Sequence, residues 1–225
     1  MFHENLVEQI LGLSDAPLLI QEVSNRLEEE RRRHEQFYNR ATNRDIDESM
    51  KVEFINGEIV VHSPVMKRHN EATTNLLVLL QTYVNIHDLG FVGYEKIMTV
   101  FTRNDYEPDL VFFGNSKAEK FSSDQTLFPV PDFIVEVLSK GTAKNDRGVK
   151  YDDYETHKVP EYWIIDAKSE TVEQYILVRN KYELVIKSAE GRLKSKVIKG
   201  FEIPIQAIFD KKTNLKVLNE IIKKA

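Results

Sequence analysis

The chain has 225 residues, 41% hydrophobic and 30% charged, with a formal net charge of −5, which supports one sizeable core and falls short of two comfortable domains. It has no cysteine, which excludes disulfides, thiol nucleophiles and cysteine-based zinc sites, and its acidity is the reverse of the usual DNA-binding balance, so any nucleic-acid contact must rest on a local patch or a bound cation. The opening MFHENLVEQI carries acids and no apolar h-region, and no apolar run approaches the ~20 residues of a membrane span, so a soluble cytoplasmic protein with no membrane partner is expected.

Residues 1–17 are polar and end at Pro17. Residues 18–44 favour a helix of dense charge, with the block Glu28-Glu29-Glu30-Arg31-Arg32-Arg33 and sparse apolar positions at Leu19, Val23, Leu27, Phe37 and Tyr38. Such a pattern is usually a solvated helix laced with i,i+4 ion pairs, and alternatively an arm that touches a second subunit or a nucleic-acid backbone. Residues 1–45 are therefore expected as a helical extension ahead of a main domain, 46–225.

The stretch 52–63 reads as two short strands around Asn56-Gly57, the strongest short hairpin signal. Residues 67–85 place Ala72, Leu76, Leu79, Leu80 and Tyr83 at helical spacing, so one face should lie on a sheet. Residues 91–101 read as one strand with a polar interruption, 110–113 as a short buried strand, and 114–125 as a polar loop. Then come a strand at 132–138, a polar helix at 145–157 and a strand at 162–166, which together read as a crossover between neighbouring parallel strands. Residues 171–177 and 182–187 read as a hairpin, 197–198 and 201–205 as an extension or edge of the sheet, and 215–225 as a final helix. The expected class is α/β with α+β character: a central mixed sheet flanked by helices.

The anomaly lies in the strand at 132–138, where Glu136 interrupts the apolar run Phe133-Ile134-Val135-Glu136-Val137-Leu138. An unpaired carboxylate there costs several kcal/mol or takes up a proton. Asp109 follows Pro108 at the entry to the strand at 110–113. If the two strands are adjacent, both carboxylates face one point, and with water and a phosphate they suit Mg²⁺, which favours hard oxygen ligands. The backbone carbonyl of Leu138 would add a ligand, and Lys150 on the following helix would place an ammonium near the same point.

These residues resemble the PD-(D/E)XK nuclease superfamily, which has the restriction-endonuclease fold, and within it the Uma-type endonuclease branch. The resemblance rests on Glu53-Phe54-Ile55-Asn56-Gly57-Glu58-Ile59, Ser63-Pro64, Arg68-His69, Pro108-Asp109-Leu110, the stretch 131–139 around Glu136, the stretch 146–154 from Asp146 to Tyr154, and 159–166. It covers about residues 50–205. It implies a metal-dependent endonuclease that hydrolyses DNA with Mg²⁺ or Mn²⁺. Asp109 and Glu136 would hold the metal, and Glu58 would be the extra acid that some members add. The superfamily lysine usually stands two residues after the glutamate. That position is Leu138 here, so Lys150 takes the role.

Blander readings stand beside these. Asp109 would simply start a strand, Glu136 would pair with Lys150 or Arg147, and Lys150 would face solvent between Asp146 and Tyr154. His69 would cap its helix or meet a phosphate, and Tyr154 and Trp163 would be core aromatics. The alternative to an enzyme is a catalytically inactive nuclease-fold module that binds nucleic acid or protein. The charged N-terminal helix admits a homodimer.

Overall fold

The computed structural model describes residues 2–42 and 51–224, with side chains from 5 to 38 and from 51 to 224. The expected boundary at residues 45 and 46 lies outside the described residues.

The chain begins with helices α1 (Phe2–Leu11) and α2 (Ala16–Thr42). Strands β1 (Val52–Ile55) and β2 (Glu58–Val61) follow as a hairpin. Its turn residues Asn56 and Gly57 have φ of 50° and 86°, the left-handed pair that a two-residue hairpin turn requires. Helix α3 (Lys67–Ile86) buries His69, Ala72, Thr73, Leu76, Leu79, Leu80 and Val84 on one face. Next come β3 (Gly90–Tyr94), β4 (Met98–Val100), β5 (Asp105–Tyr106), β6 (Leu110–Gly114), the single turn α4 (Asn115–Ala118), β7 (Leu127–Phe128) and β8 (Phe133–Val137). The second half holds α5 (Ala143–Asp146), α6 (Val149–Thr156), β9 (Glu161–Asp166), β10 (Thr171–Val178), β11 (Lys181–Ser188), β12 (Arg192–Lys194) and β13 (Glu202–Pro204). A 3-10 turn at Ile205–Ile208 leads into α7 (Lys211–Lys223), whose N-cap Asp210 accepts the Thr213 amide at 2.7 Å.

The architecture is mixed α/β, as expected. A six-stranded sheet runs β11-β10-β9-β8-β6-β3, and a smaller five-stranded sheet runs β2-β1-β5-β4-β7. In the large sheet β8 and β9 are parallel, joined by α5 and α6, while β6 pairs antiparallel with β8. The period-2 alternation of β8 divides its side chains between two cores. Phe133, Val135 and Val137 join the core under α3 and the 3-10 turn. Ile134 joins the opposite core with Val111, Phe113, Tyr154 and Tyr162. Glu136 shares the parity of Ile134.

Several expected elements take a different form. Residues 91–101 are two strands in different sheets, because Glu95 and Lys96 both adopt positive φ (39° and 48°) and turn the chain. The expected helix at 145–157 is split into α5 and α6 at Gly148, where an added Cβ would lie 2.9 Å from the Lys144 carbonyl. β12 and β13 pair with each other and do not edge the large sheet.

The expected solvated helix is half docked. Over its first half Leu19, Val23 and Leu27 are exposed, and Arg26 pairs with Glu22 at 2.5 Å. Its later turns lie on the small sheet. There Phe37 is buried, His34 stacks on Phe54 at 4.4 Å, and Arg103 forks onto Glu30 at 2.9 and 2.7 Å.

Candidate active site

The pairing of β6 with β8 decides where the two expected acids lie. Leu110 stands opposite Val135 in an antiparallel register, so one step further Asp109 stands beside Glu136. Asp109 also shares the parity of Val111 and Phe113, and therefore faces the same side as Glu136. The two strands are tied at this point, since the Val137 amide donates to Asp109 Oδ2 at 2.8 Å.

Lys150, on α6, reaches into the same space. Its ammonium lies 2.8 Å from Glu53, 2.9 Å from Glu136 and 3.5 Å from Asp146. Tyr154, one turn further along α6, donates its hydroxyl to Glu136 Oε1 at 2.9 Å. A second lysine, Lys51, stands 2.9 Å from Asp109 Oδ1, and His69 at the start of α3 lies 3.3 Å from Asp109 Oδ2. Glu53 accepts from the Glu107 amide at 3.0 Å and meets His62 at 2.9 Å.

The structure therefore brings Asp109, Glu136 and Lys150 together and adds Glu53, Asp146, Lys51, His62 and His69. It does not bring in Glu58. In the hairpin register Glu53 pairs with Val60 and Glu58 with Ile55. β2 is the edge strand of its sheet, and Glu58 is exposed on it, whereas Glu53 on β1 is fully buried. Leu138 follows the end of β8, and its amide donates to the Ile165 carbonyl on β9 at 2.8 Å, on the side away from Asp109.

Burial and charge pull these groups apart in proton affinity. Burial alone would raise Glu53, but Lys150 and His62 outweigh it and hold the carboxyl down at about 2. Asp109 is likewise held well below the carboxylate range, chiefly by Lys51 and His69, against the effect of burial. Glu136 goes the other way: burial pushes it up to about 8, Lys150 opposes this, and Asp146 and Asp109 add to it. Lys150 stays firmly ammonium, because Glu136, Glu53 and Asp146 together exceed the effect of burial.

The donor set fits a divalent cation in its chemistry and charge. Four buried carboxylates (Glu53, Asp109, Glu136, Asp146) face two lysine ammoniums (Lys51, Lys150), an excess of acid that a hard divalent ion would balance. Neither oxygen of Asp146 has a hydrogen-bond partner, although the residue is 1% exposed. As the side chains lie, each acid leans on a lysine, and among the described residues no three His, Asp or Glu side chains are grouped to hold a metal ion.

A family profile described as "Uma2: Putative restriction endonuclease" matches residues 34–206. The chain belongs to the Uma2 family. The match opens at His34, on the docked half of α2, and takes in every residue of the cluster. An uncharacterized protein of Synechocystis sp. is 30% identical over 138 residues, 60% of this chain and 77% of its own length. Among solved structures, the crystal structure of a "putative nuclease belonging to DUF820" from Anabaena variabilis aligns with a TM-score of 0.61 at 16% identity, covering 74% of this chain and 90% of its own. That likeness shows the fold, and the Uma2 family makes the chain a nuclease-type protein. No helix among the described residues is long and apolar enough to cross a membrane.

Glu53 and Lys51 are functional candidates that the expected site lacked. A signal for Glu53 was available: β1 is an apolar strand interrupted by one acid, the pattern that singled out Glu136. Lys51 offers no such signal, since its role comes from a contact with a residue 58 positions away.

Proposed function

We propose that the chain is an endonuclease that hydrolyses DNA phosphodiester bonds with Mg²⁺ or Mn²⁺ held by Asp109 and Glu136. What carries this reading is the convergence of these two acids, from adjacent strands, on one buried cluster with more carboxylates than ammoniums. The bound ion would supply Lewis-acid activation of water and neutralise charge on the phosphate.

The chain's own residues do the rest. The Val137 amide and His69 orient Asp109. Lys150 adds fixed positive charge beneath the acids in a site of low polarity, where it acts more strongly than in water. Glu53, turned inward, takes the assisting place expected of Glu58, and His62 steadies it. The metal-holding set rests on side chains, and the Leu138 carbonyl joins it only as a sequence expectation. DNA contact falls to a local basic edge, where Lys67 and Arg68 stand exposed on the first turn of α3 just ahead of His69.

The test is nicking and linearisation of supercoiled plasmid with Mg²⁺ or Mn²⁺. Asp109→Ala is expected to lose about 100-fold or more of the rate, the usual scale for removing a group that stabilises reacting charge. Equal cleavage by variant and wild type removes the assignment.

A second reading, a nuclease-fold binding module without catalysis, draws on the lysine-committed acids. Calorimetric titration with Mn²⁺ separates the two. Tight binding that Glu136→Ala abolishes supports the enzyme, and absence of binding supports the module.

A further inference from the structure

The cluster holds two lysines in unlike situations. An ammonium has three N–H donors. Lys150 faces three carboxylates at 2.8, 2.9 and 3.5 Å and its side chain is 1% exposed. Two of its donors are spent on Glu53 and Glu136, the third points among the same buried acids, and at 1% exposure it has no route to a substrate. Lys51 gives one donor to Asp109 Oδ1 at 2.9 Å, and its side chain is 21% exposed, against 8% for Asp109, 9% for His69 and 10% for His62. It is the most open member of the cluster. Its backbone is fixed as well, because the Lys51 carbonyl accepts the His62 amide at 3.0 Å and β1 starts at the next residue.

We propose that Lys51 is the residue that meets the scissile phosphate, taking a non-bridging oxygen on the donors it does not spend on Asp109, while Lys150 remains the internal counter-ion of the acids. This rests on the nuclease reading for the substrate class, an anionic phosphodiester. It divides between two residues what one lysine was expected to do. Lys150 positions Glu53 and Glu136 from below, and Lys51 touches the substrate from the solvent side. The nearby exposed Lys67 and Arg68 give an incoming phosphate backbone the same sign of charge along that edge.

The experiment is fluorescence anisotropy of a short labelled duplex against salt, with Ca²⁺ in place of Mg²⁺, on wild type, Lys51→Gln and Lys51→Arg. Glutamine keeps an N–H for Asp109 and drops the charge. It is expected to weaken binding several-fold and to flatten the slope of log affinity against log salt by about one, as loss of one phosphate contact does. Arginine is expected to restore the slope. In parallel, acetylation of wild-type lysines followed by mass spectrometry should show Lys51 protected by duplex and Lys150 unreactive throughout, a readout that does not depend on how any variant folds. Wild-type slope in Lys51→Gln, or Lys51 acetylated equally with and without DNA, overturns the proposal. Wild type that binds duplex through Lys51 yet never cleaves it sinks the nuclease reading and leaves Lys51 as a backbone-phosphate contact with no scissile bond beside it. Cleavage and binding by Lys51→Gln at the wild-type level overturn the role of Lys51 and leave the nuclease reading standing.

Discussion

Two glutamates on neighbouring strands of one sheet are both buried, yet they are satisfied in opposite ways. Glu161 opens β9 and stands opposite Phe133 in the parallel register. It accepts from Trp163 Nε1 at 2.7 Å, Gln174 Nε2 at 2.7 Å, Ser195 Oγ at 2.7 Å, and the amides of Lys196 and Val197 at 2.9 and 3.0 Å. Every donor is neutral and fixed, so the carboxylate is a clamp that holds the 195–197 loop to the sheet. Glu136, on β8, accepts from Tyr154 and otherwise leans on the charge of Lys150, and Asp146 beside it faces the same ammonium at 3.5 Å with no hydrogen bond. A structural carboxylate is thus saturated by neutral dipoles. A carboxylate in a candidate active site shares a cation with its neighbours and leaves acceptor capacity unused.

The largest expected break in this comparison is Lys150→Met. It removes the ammonium from three buried acids at once, and loss of one partner from a buried ion pair costs about 3–5 kcal/mol. Chemical denaturation should show that loss, and added Mn²⁺ should recover part of it by occupying the acids. A loss under 1 kcal/mol by the same measurement would mean the acids do not depend on Lys150, and the cluster would then resemble a surface network, for which about 0–1 kcal/mol is usual. Glu161→Gln comes next, at about 2 kcal/mol, since an amide nitrogen cannot accept from donors left buried. Its Mn²⁺ affinity by calorimetry should equal wild type. A drop in that affinity would erase the distinction between clamp and site.

The same contrast explains what the sequence could and could not disclose. Strand parity alone placed Glu136 on a buried face away from Phe133 and Val135, and Asn56-Gly57 alone placed the hairpin. The family pattern covers about residues 50–205 and misses the opening of the profile match at 34–206, which lies on α2. Whether a buried acid is a clamp or a site depends on its donors, and three of the five donors to Glu161 stand 34 to 36 positions later, in a loop with no local signature. The hairpin holds two acids, and choosing Glu53 over Glu58 requires knowing that β5 covers β1 while β2 is left as an edge. The docking of α2 was hidden for the same reason. His34 and Phe37 look like isolated aromatics in a charged run until Phe54 and Asp105 are brought beneath them.

Asp105 tests the comparison at its smallest scale, because it lies between the two kinds. Its side chain is fully buried, Oδ2 meets His34 Nε2 at 2.5 Å, and Oδ1 has no partner. Burial raises its carboxyl above the ordinary value, and the bonds to His34 and Tyr38 only partly oppose this. The folded chain therefore holds the proton more tightly than the unfolded chain. The resulting stability is fully present below the ordinary aspartate pKa and is lost as pH rises through the raised one. Asp105→Asn removes that titration while its amide oxygen still accepts from His34. Urea unfolding across a pH series should then show wild type losing stability over this window and the variant staying flatter, with the two converging in shape above it. Parallel curves would mean that His34 and Tyr38 satisfy Asp105 as completely as the neutral donors satisfy Glu161, and that the contact under α2 is a clamp of that second kind.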